Sequence, residues 1–160
     1  MPSTADVSDL VAPFQGWLGH WEGEGRGLWE GVPPFRYRES LAVEAVPERA
    51  LIRLTQRTTV ADSTELSHSE VGYLRLLPEL QLELVVAVPS GYVEIHTGRL
   101  EGGVLLLNPQ TLGVTPSARP LRVVRRRMEL ADGTLHNTVG IAVHDEEVAP
   151  HVESWLHRRG

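Results

Sequence analysis

Seven histidines, 21 acidic side chains and no cysteine define what chemistry this chain can do. Without thiols there is no disulfide, no thiolate metal site and no cysteine nucleophile. His136 and His144 share a strand face but stand eight residues apart, too far for adjacent ligands on one strand. A zinc site from His136, His144 and His151 therefore has no spacing in its favour. His68 lies beside Ser69 and Glu70 at a strand start and reads as a structural hydrogen-bonding group. His20, His96 and His157 read as surface. His151 follows Pro150 at the entrance of the last strand, and by position alone is an ordinary polar residue. Arg125-Arg126-Arg127 would alternate faces on a strand, so the triplet makes no single basic patch and reads as solvated exterior with cross-strand pairing. Paired catalytic carboxylates and Ser-His-Asp arrangements leave no recognisable pattern.

The composition narrows the function classes. With 160 residues, 41% of them hydrophobic and 22% charged, the chain is expected to form one soluble domain over 1–160. Its net charge is -6, and its basic residues are all arginine and scattered, which is not the footprint of a nucleic-acid binder. No apolar run approaches the roughly 20 residues of a membrane span. Met1–Asp6 lacks a basic start followed by an apolar core, so the expected compartment is cytoplasmic.

Residues of any site here must be carried by strands. Ser8 is expected to cap a short helix over Asp9–Trp17, limited by Pro13, which acts as a lid or plug at one end. From Leu18 the period is two: Phe35, Tyr37, Leu41 and Val43 alternate with polar neighbours, and so do Leu82, Leu84, Val86 and Val88. Pro89-Ser90-Gly91, Gly102-Gly103 and Asp132-Gly133 mark turns, the last a strong hairpin signal. Strands are expected over Ala118–Leu130 and Val152–Arg158, with Asp145–Pro150 as a connection. In Leu18–Gly27 the glycines Gly19, Gly23, Gly25 and Gly27 share a face with Trp21, which suits a sharply coiled first strand. About ten short strands with one initial helix predict an all-β, closed antiparallel up-and-down barrel that leaves a ligand cavity.

Six segments in order resemble the nitrobindin family of small haem-binding β-barrels, related in shape to fatty-acid-binding proteins. Gly19-His20-Trp21-Glu22-Gly23-Glu24-Gly25 fits its Gly-x-Trp-x-Gly-x-Gly. Phe35-Arg36-Tyr37-Arg38-Glu39 resembles Phe-x-Tyr-x-Glu, and Thr55-Gln56-Arg57-Thr58 its Gln-x-Thr strand. His68-Ser69-Glu70-Val71-Gly72-Tyr73-Leu74-Arg75 is similar to His-x-Glu-x-Gly-Tyr-Leu-Arg. Pro89-Ser90-Gly91-Tyr92-Val93-Glu94-Ile95 resembles the Pro-x-Gly-x-x-Glu turn, and Pro150–Arg158 the closing strand.

The resemblance implies haem b at one end of the barrel with His151 as axial and catalytic ligand of the iron. It also implies a ferric iron with an open, largely apolar distal side, nitric oxide binding, and isomerisation of peroxynitrite to nitrate. Partners would be those small molecules, with a homodimer left open. Three departures bear on the pocket. Trp29-Glu30-Gly31 replaces the family's Tyr-Pro-Thr, which puts Gly31 at the rim; Ser117-Ala118-Arg119 replaces Thr-Ala-Lys, leaving Arg119 to pair with a propionate; Gly140-Ile141-Ala142 lacks a methionine. Strict alternation from His151 would turn Trp155 into the lumen beside the cofactor. The altered rim keeps one alternative open: a non-catalytic barrel for a fatty acid or other apolar ligand, without haem.

Overall fold

In the computed structural model, which describes residues 4–29 and 31–160, helix α1 (Thr4–Val11) runs into a 3-10 segment (Ala12–Trp17). Ten strands follow: β1 (Gly19–Trp29), β2 (Val32–Ala45), β3 (Leu51–Val60), β4 (Leu66–Leu76), β5 (Gln81–Val88), β6 (Tyr92–Glu101), β7 (Val104–Val114), β8 (Val123–Ala131), β9 (Thr134–Ala142) and β10 (Ala149–Arg158). Each pairs antiparallel with its sequence neighbours, and β1 meets β10 to close the barrel. The up-and-down barrel with one short N-terminal helix is thus as the period-two pattern predicts.

The helix begins at Thr4 rather than Asp9, which puts Ser8 inside it, and tightens to 3-10 where Pro13 removes an N–H. Phe14 and Trp17 of this segment are buried and stopper one end of the barrel. Beneath them lie Trp21, Leu41, Ile52, Leu74, Leu82, Leu105, Leu135 and Leu156 in one apolar cluster. The Trp21 indole N–H donates to the Trp17 carbonyl at 2.9 Å, tying strand to stopper. Arg158 donates to the carbonyls of Leu18 and Gly16 and lies 4.7 Å over the Trp21 ring, so the last strand clamps the first.

Two glycines of β1 explain the other end. A Cβ on Gly25 would overlap the Tyr37 ring, and one on Gly27 the Phe35 ring. Inward rings of β2 therefore lie across β1, and the Tyr37 hydroxyl reaches the Glu153 carbonyl of β10. The wall is incomplete at one seam. β7 and β8 pair only over Val104–Leu106 and Arg127–Glu129, and β8 starts at Val123, later than the Ala118 predicted from the sequence. Pro120 lies in that delay and has no N–H for a ladder.

Candidate functional site

The end opposite the stopper holds a cavity of about 620 Å³. Its walls include Leu54, Val86, Val88, Leu121, Val124, Val139 and Ile141, and its rim Trp29, Ser117, Ala118, Arg119 and His151. Its size is that of a site for a cofactor or drug-sized ligand.

His151 enters the cavity through a bulge. Pro150 pairs with Gly140 and Val152 with Val139, so His151 is the extra residue on β10. The bulge shifts alternation by one: His151 and Val152 both line the cavity, followed by Ser154. The same shift corrects the expectation for Trp155. It stands on the outer face, 38% exposed, stacked 5.4 Å from His136 with Arg26 5.4 Å over its ring.

The protonation of His151 is set by its neighbours. Nδ1 lies 2.8 Å from the Leu28 carbonyl, an atom that only accepts, so Nδ1 carries the proton and donates. Nε2 is left with its lone pair and no partner among the described residues. Burial pushes the His151 pKa below that of ordinary histidine, against the Leu28 hydrogen bond and with help from nearby His68, so the ring is neutral at pH 7. Trp29 meets this imidazole edge-on at 5.1 Å. Arg119 sits 5.5 Å over the Trp29 ring and its carbonyl accepts from Tyr92 at 2.6 Å, so the rim cation is exposed but anchored. Gly31 lies in the β1–β2 turn with φ of 79°, outside the cavity lining, with nothing within 4 Å of where a Cβ would point. Glu30 lies outside the described residues.

Between cavity and apolar cluster lies a polar floor that the sequence reading missed. Arg126, read above as exterior, points inward and donates from Nη1 and Nη2 to Glu70 (2.6 and 2.9 Å) and from Nε and Nη2 to Glu94 (2.7 and 2.7 Å). His68 joins Glu70 at 3.1 Å, and His96 joins Glu94 at 2.9 Å. His96, expected at the surface, is 1% exposed. Burial alone would raise both carboxyl pKa values, but Arg126 outweighs it and holds Glu70 and Glu94 below the ordinary carboxylate range. Glu39 is the third carboxyl of the floor. It has no cation and is bonded to Gln56 and Ser154, so burial pushes its pKa up. Alternation contained the signal: Arg126 shares a face with Val124 and Met128, and His96 with Leu100.

Among the described residues no group of three or more His, Asp or Glu side chains is arranged for a metal ion, which removes the zinc arrangement considered above. The donor set instead suits a macrocycle that brings its own equatorial ligands and needs one neutral imidazole. His151 fits that need, with a carbonyl partner fixing its tautomer.

Comparison with known proteins gives the family and supports the fold. Residues 10–158 match the family model of the THAP4-like, heme-binding beta-barrel domain. Peroxynitrite isomerase 1 of Rhodococcus jostii is 33% identical over 158 residues, covering 98% of this chain and 87% of that protein. Peroxynitrite isomerase 2 of Mycobacterium ulcerans is 32% identical over 155 residues, covering 94% of each. The crystal structure of Rv2717c from M. tuberculosis superposes with a TM-score of 0.85 at 27% identity, over 94% of this chain and 98% of that one.

Proposed function

Because the chain belongs to the THAP4-like haem-binding β-barrel family, we propose that it holds ferric haem b on His151, binds nitric oxide and peroxynitrite, and isomerises peroxynitrite to nitrate. The observation that carries this reading is the His151 tautomer: Nδ1 donates to Leu28 and a neutral Nε2 is free at the cavity wall. Haem bound there would supply a Lewis-acidic iron with an open coordination position. The protein's own part is to hold and orient. The Leu28 carbonyl keeps the imidazole in one orientation, and Trp29 packs its edge. Arg119, steadied at the rim, is the cation for a propionate. Apolar walls of Val86, Val88, Val139 and Ile141 offer a reactive pair no hydrogen-bonding side chain.

For the alternative, a haem-free barrel for a fatty acid or other apolar ligand, the floor speaks against the fatty acid. A buried carboxylate head needs a free cation, and four hydrogen bonds commit the Arg126 guanidinium to Glu70 and Glu94.

An absorbance titration with haemin tests the reading. Wild type should give a saturable Soret shift and His151→Ala none, and the loaded wild type should speed nitrate formation from peroxynitrite. A colourless wild type that takes up a fluorescent fatty acid would reverse the assignment.

A further inference from the structure

The seam between β7 and β8 leaves a gap in the barrel wall. Beyond Leu106 the two strands separate, and a cleft of about 110 Å³ opens between them. Pro109, Gln110, Thr111 and Leu112 form its β7 side, Arg122, Val123 and Val124 its β8 side, and Glu94 and His96 of β6 line it as well. β7 carries a bulge here, since Ile95 pairs with Thr111 and His96 with Pro109, leaving Gln110 over. A bulge bends its strand, and Pro109 has no N–H to offer the facing edge.

Two observations ask for a ligand in this cleft. Backbone groups along the separated edges of β7 and β8 lack the ladder that satisfies them elsewhere, and such groups are rarely left without water. Independently, His96 is 1% exposed and its Nδ1 has no hydrogen-bond partner. Its Nε2 must donate to the Glu94 carboxylate, which only accepts, so Nδ1 is the ring nitrogen left without a partner. The occupant must then be a small hydrogen-bonding molecule, and the cleft has room for several waters.

The cleft is also placed to lead somewhere. Glu94 and Val124 line both the cleft and the main cavity, so they form the partition between the two. From Glu94 the bonded chain continues through Arg126 and Glu70 to His68, which lines the main cavity. We propose that the β7–β8 seam is a lateral port that holds water on His96 Nδ1 and admits water and other small uncharged molecules to the cavity floor. Its use rests on the function proposed above: a macrocycle on His151 closes the rim, and the port keeps the space behind it in exchange with solvent. Small neutral molecules of the size of nitric oxide pass by the same route.

The test uses haem-free protein, so failure of the port and failure of haem binding are read separately. Dissolved dioxygen serves as a small, neutral, paramagnetic probe, and NMR relaxation is followed at the His96 Hε1 and at the methyls of Leu135, which is 0% exposed in the apolar cluster. Oxygen should relax His96 severalfold more than Leu135, and Leu112→Trp, which fills the cleft, should abolish the excess. The ring ¹⁵N shift of His96 Nδ1 should be that of a hydrogen-bonded nitrogen. Equal relaxation at His96 and Leu135 in wild type would overturn the proposal without any variant. So would an excess that survives Leu112→Trp in a folded protein, or the shift of a nitrogen without a hydrogen bond at Nδ1.

Discussion

The two halves of this barrel are built from the same ten strands and solve opposite problems. At the stoppered end the inward side chains are large and apolar, and Phe14, Trp17 and Trp21 fill the space left by the taper. At the open end the inward residues stand back around a cavity, and β1 offers glycines where β2 offers rings. Burial is cheap in the first half and costly in the second, where a polar floor must satisfy three carboxyls and a guanidinium before anything binds. Stability is gathered at one end, and the other is left open around a cavity.

The sharpest way to break that division is a pair of tryptophans on one strand. Trp21→Ala removes a fully buried ring and its bond to Trp17, and should cost about 3–5 kcal/mol in urea unfolding. Trp29→Ala, at the half-buried rim, should cost no more than about 1 kcal/mol yet weaken haemin uptake, because it removes the ring packed on His151. Similar unfolding costs would mean the open end carries as much of the fold as the closed one.

The floor is tested next. Arg126→Met strands Glu70 and Glu94 in the interior, and should destabilise by about 3–5 kcal/mol. Arg125→Met on the exposed neighbour should stay within about 0.5 kcal/mol. Adding Glu70→Gln and Glu94→Gln to Arg126→Met should recover much of the loss, since the penalty lies in the uncompensated charges and not in the missing guanidinium.

The difference between the halves also decided what was legible in the sequence. The closed end follows from composition and period alone: Trp21, Leu41, Leu82 and Leu84 announce their face. The floor does not, because an arginine or a histidine on an inward position looks like a surface residue until its partners are known. The partners of Arg126 lie 56 and 32 residues away in the chain, on strands that only the curl of the sheet brings face to face. The family resemblance singled out His151, but not the bulge that turns it inward, because nothing in Pro150-His151-Val152 distinguishes a bulge from a straight strand.

The acid side chains of the floor carry opposite pH signatures. Glu70 and Glu94 have lowered folded pKa values, so their contribution is present above the ordinary carboxylate pKa of about 4.3 and is lost as pH falls. Glu39 has a raised one, so its contribution is full below about pH 4.3 and is lost as pH rises through its folded pKa. Glu39→Gln should therefore become more stable relative to wild type between pH 4 and pH 8, in chemical unfolding at each pH. A constant difference across that range would show that Glu39 ionises freely and that the floor has no neutral acid.

The smallest expected effect concerns a residue that alternation assigned to the open half and the bulge removed from it. Trp155 sits outside, stacked on His136 and under Arg26, and neither contact reaches the cavity. An exposed aromatic stack with one cation contributes about 1 kcal/mol at most. Trp155→Ala should accordingly cost about that much in stability and leave the haemin titration unchanged, in contrast to Trp29→Ala. A Soret response that weakens in Trp155→Ala as much as in Trp29→Ala would mean that β10 runs without its bulge when the cavity is filled. The register of the last strand would then answer to the ligand, and the division between a fixed closed end and a prepared open end would fail at the strand that carries His151.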